Sequence, residues 1–121
     1  MNESEVLSRI KAAVGGMLNV RIFRNNVGVA RAMDGPRVIR YGLFPGSADL
    51  IGWTEYTIRP EDTGRKVAVF TSIEVKAPTG GRTSSMQHIW KRNVENGGGI
   101  AMVTSCPRIA KFAMENWRPS L

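Results

Sequence analysis

The sequence predicts a mixed α/β fold, a central β-sheet flanked by helices in the order α-β-β-β-α-β-α, with three or four strands before the second helix. Three observations carry this expectation. Residues 4–15 and 84–96 repeat apolar side chains at helical spacing. Between them lies the β-branched run KVAVFTSIEV, residues 66–75. After the second helix, IAMVT at 100–104 is short and apolar throughout, as a strand covered by helices on both faces would be. With 121 residues, no repeat and no internal linker, the expectation is one domain over 1–121.

In the first helix Val6, Leu7, Ile10, Ala13 and Val14 share a face, with Ser4 as a candidate N-cap, acids at the start and Gly15-Gly16 as the stop. NVRIFRN, residues 19–25, sets Val20, Ile22 and Phe23 among arginines and reads as a strand; Asn25-Asn26 and Gly28 mark the turn after it. Asp34-Gly35-Pro36 introduces a strand over 37–43. In FPGSADLIGWTEYTI, residues 44–58, a Pro-Gly-Ser loop opens onto a strand of about ten residues. The polar turn RPEDTGRK, 59–66, then leads to a strand over 67–76, and the two strands read as an antiparallel hairpin. Met86, Ile89, Trp90 and Val94 define the second helix, which Gly97-Gly98-Gly99 ends. Ser105 and Pro107 cap and start a last helix that runs to about Asn116.

The chain carries 17 Lys and Arg against 10 Asp and Glu, a formal charge of +7, which favours a polyanionic partner, nucleic acid first. No apolar run approaches the roughly 18 residues of a membrane span, and MNESEVLSRIK has no signal-type apolar core, so the expectation is a soluble, cytoplasmic protein without a membrane partner. Cys106 and His88 are single, which excludes a disulfide within the chain and a Cys/His zinc site. A metal would be held by oxygens, which favours Mg²⁺ or Mn²⁺.

Glu74 and Lys76 are charges at the end of an otherwise apolar strand, and alternation puts both on one face, opposite Ile73 and Val75. With the expected hairpin centred near residues 62 and 63, Asp49 faces Lys76 and lies diagonal to Glu74, about 7–8 Å away at Cα. Two carboxylates so placed, with the Val75 carbonyl, suit Mg²⁺ beside a phosphate; the lysine can orient water or neutralise developing charge. The plain alternative is an edge-strand ion pair, with Asp49 a turn residue after Ser47. His88 points about 100° from Gln87 on the helix and reads as a surface or partly packed group, Cys106 as packing, and Trp90 as core rather than a base-stacking platform.

RNNVG at 24–28, FPGSADLIG at 44–52 and IEVKAPTGGRTSSMQHIW at 73–90 follow one another in an order that resembles the VRR-NUC branch of the PD-(D/E)xK nuclease superfamily. The resemblance implies a restriction-endonuclease-like core, with Asp49 and Glu74 as metal-binding carboxylates, Lys76 as catalytic lysine and Gln87 facing the site from the second helix. It further implies an early-helix carboxylate, Glu3 with Glu5 as competitor. Ala48 stands where the superfamily pattern has proline, a position that shapes backbone and holds no ligand. Arg24, Asn25, Ser47, Arg82, Thr83 and Ser84, near these motifs, are the candidate phosphate contacts. The implied activity is Mg²⁺- or Mn²⁺-dependent endonuclease cleavage of branched DNA such as Holliday junctions, by a homodimer, in a bacterial or phage setting. Two alternatives are a non-catalytic DNA-binding protein of the same fold and a sequence-specific restriction-type enzyme.

Overall fold

Asn2, rather than Ser4, starts the first helix, α1 (Glu3–Gly15). Its side chain accepts the Glu5 N–H at 2.9 Å, and the Glu5 carboxylate returns to the Asn2 N–H at 3.1 Å. This reciprocal box satisfies two donors that a helix start leaves open. The computed structural model describes residues 2–119. After α1 come β1 (Val20–Arg24), β2 (Gly28–Arg31), β3 (Val38–Tyr41), β4 (Leu50–Thr54), a 3-10 turn at Pro60–Asp62, β5 (Thr71–Val75), α2 (Ser85–Asn96), β6 (Ile100–Thr104) and α3 (Pro107–Asn116). The mixed α/β class holds. One strand more than expected, β2, precedes the strand introduced by Asp34-Gly35-Pro36.

The chain forms two compact units, Met1–Tyr56 and Thr57–Leu121. In the first, α1 packs on β1, and β1 pairs antiparallel with β4 from Val20↔Thr54 to Arg24↔Leu50. Val20 is buried there, and the arginines of β1 take the outward positions expected of NVRIFRN. β2 and β3 make a separate antiparallel ribbon. In the second unit β5 and β6 run parallel, from Thr71↔Ile100 to Val75↔Thr104, with α2 as the crossover that parallel neighbours need. Both α2 and α3 pack against β6, whose residues are all half-buried. Val94 on α2, 1% exposed, is the most deeply buried side chain among the described residues.

The expected hairpin between the strands at 49–58 and 67–76 does not form. β4 takes β1 as partner and β5 takes β6, and among the described residues the strands pair as three two-stranded ladders rather than one central sheet. The physical reason lies in the connection. Residues 55–70 hold only the 3-10 turn, and so long a segment does not fix register as a hairpin turn of two to five residues does. The Glu55 N–H donates to Asn19 O at 2.7 Å, continuing the β4 pairing toward β1. The diagonal of Asp49 and Glu74 inferred from that hairpin therefore has no ladder to support it.

At the last helix Pro107 occupies the first position as expected, while the N-cap position falls on Cys106 rather than Ser105. Thr104 Oγ1 accepts the Cys106 N–H at 3.1 Å and so satisfies the backbone there. No helix among the described residues is long and apolar enough to cross a membrane.

Candidate active site

The residues expected to act together divide between the two units, and each group has its own geometry. In the second unit, alternation along β5 sends Ser72 and Glu74 to the face that α2 covers, while Ile73 and Val75 remain 44% and 73% exposed. The Trp90 indole N–H donates to Ser72 Oγ at 3.0 Å, and its ring meets Phe70 edge-on at 6.1 Å, which ties α2 to the strand. One turn earlier on α2, Gln87 reaches the charged end of β5.

Gln87 joins the two charges. Its Nε2 donates to Glu74 Oε1 at 2.5 Å, and its Oε1 accepts Lys76 Nζ at 2.8 Å. The ammonium also lies 3.4 Å from Glu74 Oε1, with the two side chains 20% and 42% exposed. A lysine ammonium only donates and an ionised carboxylate only accepts, so these partners fix which way the amide faces. Both bonds to Glu74 fall on Oε1, so Oε2 is used by neither.

The start of α2 fixes Gln87 in turn. Ser84 is the N-cap, its Oγ accepting the Gln87 N–H at 3.1 Å, while its own N–H donates to Gln87 Oε1 at 2.9 Å. Gln87 Oε1 is thus shared between the helix cap and the lysine. The loop between Lys76 and Ser84 passes close to the lysine stem at Gly81, where a Cβ would come within 2.9 Å of Lys76 Cβ, so glycine suits the position. Ser84, expected to contact phosphate, is engaged through its oxygen lone pair and retains its hydroxyl proton. Thr83 is half-buried, and Arg82 and His88 are exposed.

In the first unit Asp49 directly precedes β4, its carbonyl accepting the Asn25 N–H at 2.8 Å. Arg24 Nη1 stands 3.5 Å from Asp49 Oδ1, and Arg24 Nε donates to Asn26 Oδ1 at 2.9 Å. Asn25, expected to touch phosphate, is instead 7% exposed, and its side chain is spent on the loop that carries Asp49. Its Nδ2 donates to Ser47 Oγ and Ala48 O, both at 2.8 Å, and its Oδ1 accepts the Leu43 N–H at 3.1 Å. Ser47, half-buried, is held by the same amide. Glu3 opens α1 and is exposed, whereas the Glu5 carboxylate is occupied by the Asn2 N–H.

Among the described residues no group of three or more His, Cys, Asp and Glu side chains is placed to hold a metal ion. A cation would therefore draw on fewer carboxylates, completed by carbonyl and water oxygens. Taken each in its own unit, Glu74 has one carboxylate oxygen outside its hydrogen bonds and the Asp49 carboxylate is 63% exposed, and both are the hard oxygen donors such an ion prefers. Sequence reasoning placed Glu74, Lys76 and Gln87 beside one another, as the structure does, but did not give the structural roles of Asn25 and Ser84. For Ser84 the signal was present, because Ser-x-x-Gln before an apolar-periodic run is a capping-box pattern. For Asn25 no local signal separates a buried loop staple from a surface asparagine.

A family model described as the VRR-NUC domain matches residues 24–106, a span that holds Asp49, Glu74, Val75, Lys76 and Gln87 and excludes Glu3. Comparison with curated proteins returned no match, and comparison with solved structures returned none.

Proposed function

The chain belongs to the VRR-NUC domain family, a nuclease-type domain that processes DNA, and on that premise we propose that it is a metal-dependent endonuclease that hydrolyses phosphodiester bonds in branched DNA, such as Holliday junctions. The observation that carries this reading is the Glu74–Gln87–Lys76 arrangement, in which an amide from a capped helix holds a lysine and a carboxylate at the end of one strand.

In this reading Asp49, Glu74 and the Val75 carbonyl would hold Mg²⁺ or Mn²⁺, and Glu3 is the early-helix carboxylate of the catalytic set. The ion, when bound, supplies Lewis-acid neutralisation of phosphate charge. The remaining work belongs to the chain. Lys76, held by Gln87 Oε1 and mostly withdrawn from solvent, places its charge against the phosphate oxygens, where negative charge grows in the transition state. Gln87 keeps Glu74 Oε1 occupied and so limits how the carboxylate can turn. Water adds to phosphorus as one ester P–O bond breaks; the water gives up a proton to solvent and the leaving oxygen takes one up. Arg24, Arg82, Thr83 and Ser84 supply phosphate contacts. Two copies of the chain, each with its own site, act on the two strands of a junction.

The test is cleavage of a four-way junction, a flap and a linear duplex of equal length in Mg²⁺ and in Mn²⁺. Cutting of the branched substrates, lost in Asp49→Ala and in Glu74→Ala with binding retained, is the expected result. Undiminished cleavage by both variants overturns the residue assignment. Binding without cleavage in either metal returns the chain to a non-catalytic DNA-binding role, and cutting of linear duplex at one fixed sequence makes it a restriction-type enzyme.

A further inference from the structure

β2 and β3 form a two-stranded ribbon with no third strand beside it among the described residues. Such a ribbon is marginal alone in water, so what it presents outward needs a physical account. The register places Gly28↔Tyr41 and Ala30↔Ile39 on one face, and Val29↔Arg40 and Arg31↔Val38 on the other. On the first face the Tyr41 ring lies over Gly28, where a Cβ would collide with it, and this stiffens the ribbon. At the turn Ala32, 7% exposed, donates its N–H to Arg37 O at 2.8 Å, and Arg37 pairs with Asp34 at 3.6 Å.

The second face differs. Val29 and Val38 are 55% and 59% exposed, and Arg31 and Arg40, diagonal neighbours across the ladder, are both exposed. Diagonal positions lie about 7–8 Å apart. Neither arginine forms an ion pair or hydrogen bond with a described residue, in contrast to Arg24, Arg37 and Arg59. Two uncompensated guanidinium groups on one stiff ribbon, with apolar side chains set diagonally between them, are complementary to a polyanion that also offers apolar surface, as a sugar-phosphate backbone does. The ribbon is also tied to the Asp49 loop. Leu43, two residues beyond β3, is held through its N–H by Asn25 Oδ1, and the same side chain holds Ala48 O, next to Asp49.

We propose that the β2–β3 ribbon is a DNA-backbone arm, Arg31 and Arg40 each gripping a phosphate while Val29 and Val38 pack against the sugars between them. The inference rests on the nuclease reading for its substrate and adds an element outside the candidate phosphate contacts near the sequence motifs. A two-stranded ribbon fits the major groove, about 12 Å wide, so the arm can follow the backbone at a groove edge without unpairing the duplex. It grips without reading bases, as a structure-selective nuclease requires.

The test is binding of a labelled four-way junction, followed by anisotropy in EDTA from about 50 to 200 mM salt. Arg31→Gln with Arg40→Gln removes two phosphate contacts, and the slope of log affinity against log salt is expected to become shallower by about 1.8. The double lysine variant, Arg31→Lys with Arg40→Lys, is expected to recover most of that slope. Arg65→Gln with Lys66→Gln, an equal charge loss at exposed positions of the other unit, is the control. A ribbon variant that retains the wild-type slope, or loses no more than the control, overturns the proposal. So does a lysine variant as impaired as the glutamine one, or a ribbon variant whose change is in oligomeric state by sedimentation, which makes the ribbon a contact between copies. Circular dichroism and melting of each variant establish that it is folded. Cleavage by the wild type in Mg²⁺ is scored separately: no cleavage with the expected slope change defeats the nuclease reading alone, and cleavage with an unchanged slope defeats the arm alone.

Discussion

Gln87 Nε2 donates to Glu74 Oε1 at 2.5 Å, so a helix side chain carries the geometry of a strand carboxylate. The amide can do this because its other end accepts Lys76 Nζ, and no single charged or apolar residue supplies a donor to one partner and an acceptor to the other. Gln87→Glu keeps the acceptor for Lys76 but sets a second carboxylate against Glu74. Partners that orient a metal-binding carboxylate are typically worth about 10–100-fold in activity or metal affinity, and a kcat loss in that range is expected. Junction binding in EDTA should change little. A variant that weakens binding as much as cleavage would instead place Gln87 on the DNA.

Ser84 acts one step further from the chemistry. Removing its hydroxyl in Ser84→Ala frees the Gln87 N–H at the helix start, a cap loss worth about 1 kcal/mol in urea unfolding. Ser84→Thr restores an oxygen at the same place and should recover most of that stability. Cleavage by Ser84→Ala is expected to fall less than by Gln87→Glu, because the Ser84 N–H and Lys76 still hold Gln87 Oε1.

Asn25 shows what a buried amide does for a loop that contains Pro45, Gly46 and Ser47. Its side chain closes three bonds across residues 43–48, and Asn25→Ala leaves the Leu43 N–H and the Ala48 carbonyl without that partner. Both groups lie on exposed residues that water can reach, so each lost bond is worth about 0.5–1.5 kcal/mol, and a lower urea midpoint with an unchanged slope is the expected signature. Cleavage should fall beyond what the unfolded fraction explains, since Asp49 follows directly on the loop.

Much of this was legible in the sequence, for reasons that differ by residue. Helices α1 and α2 announce themselves through apolar spacing, and the Gly97-Gly98-Gly99 stop ends α2 where expected: Gly97 is the C-cap and Gly98 has φ +91°. Glu74 and Lys76 share a face because strand alternation leaves no choice. What sequence could not supply was long-range pairing. The 59–66 turn suggested a hairpin, yet β4 found β1, a partner 30 residues earlier by Ile22↔Gly52, and no local rule encodes that preference. β2 escaped because Gly-Val-Ala-Arg has no alternation of apolar and polar residues, and its structure depends on β3. The N-cap of α1 fell on Asn2 rather than Ser4 because the reciprocal bond from Glu5 decides between two good capping residues.

Arg24 offers the sharpest separation between stability, DNA binding and metal binding. Its guanidinium stands 3.5 Å from Asp49 Oδ1 with both side chains well exposed, 38% and 63%, so solvent screens the pair and its net worth is about 0–1 kcal/mol. Arg24→Gln should therefore leave the urea midpoint nearly unchanged. As a phosphate contact, however, Arg24 contributes to counterion release, and its loss should make the salt slope of junction binding shallower by about 0.9. Its effect on the cation runs the other way. A guanidinium beside Asp49 repels a divalent ion that the carboxylate would hold, so without it the Mn²⁺ concentration for half-maximal cleavage should fall. Titrating Mn²⁺ at saturating junction isolates that effect from weaker DNA binding. A midpoint that rises instead would mean that Arg24 orients Asp49 for the metal more than it repels the ion.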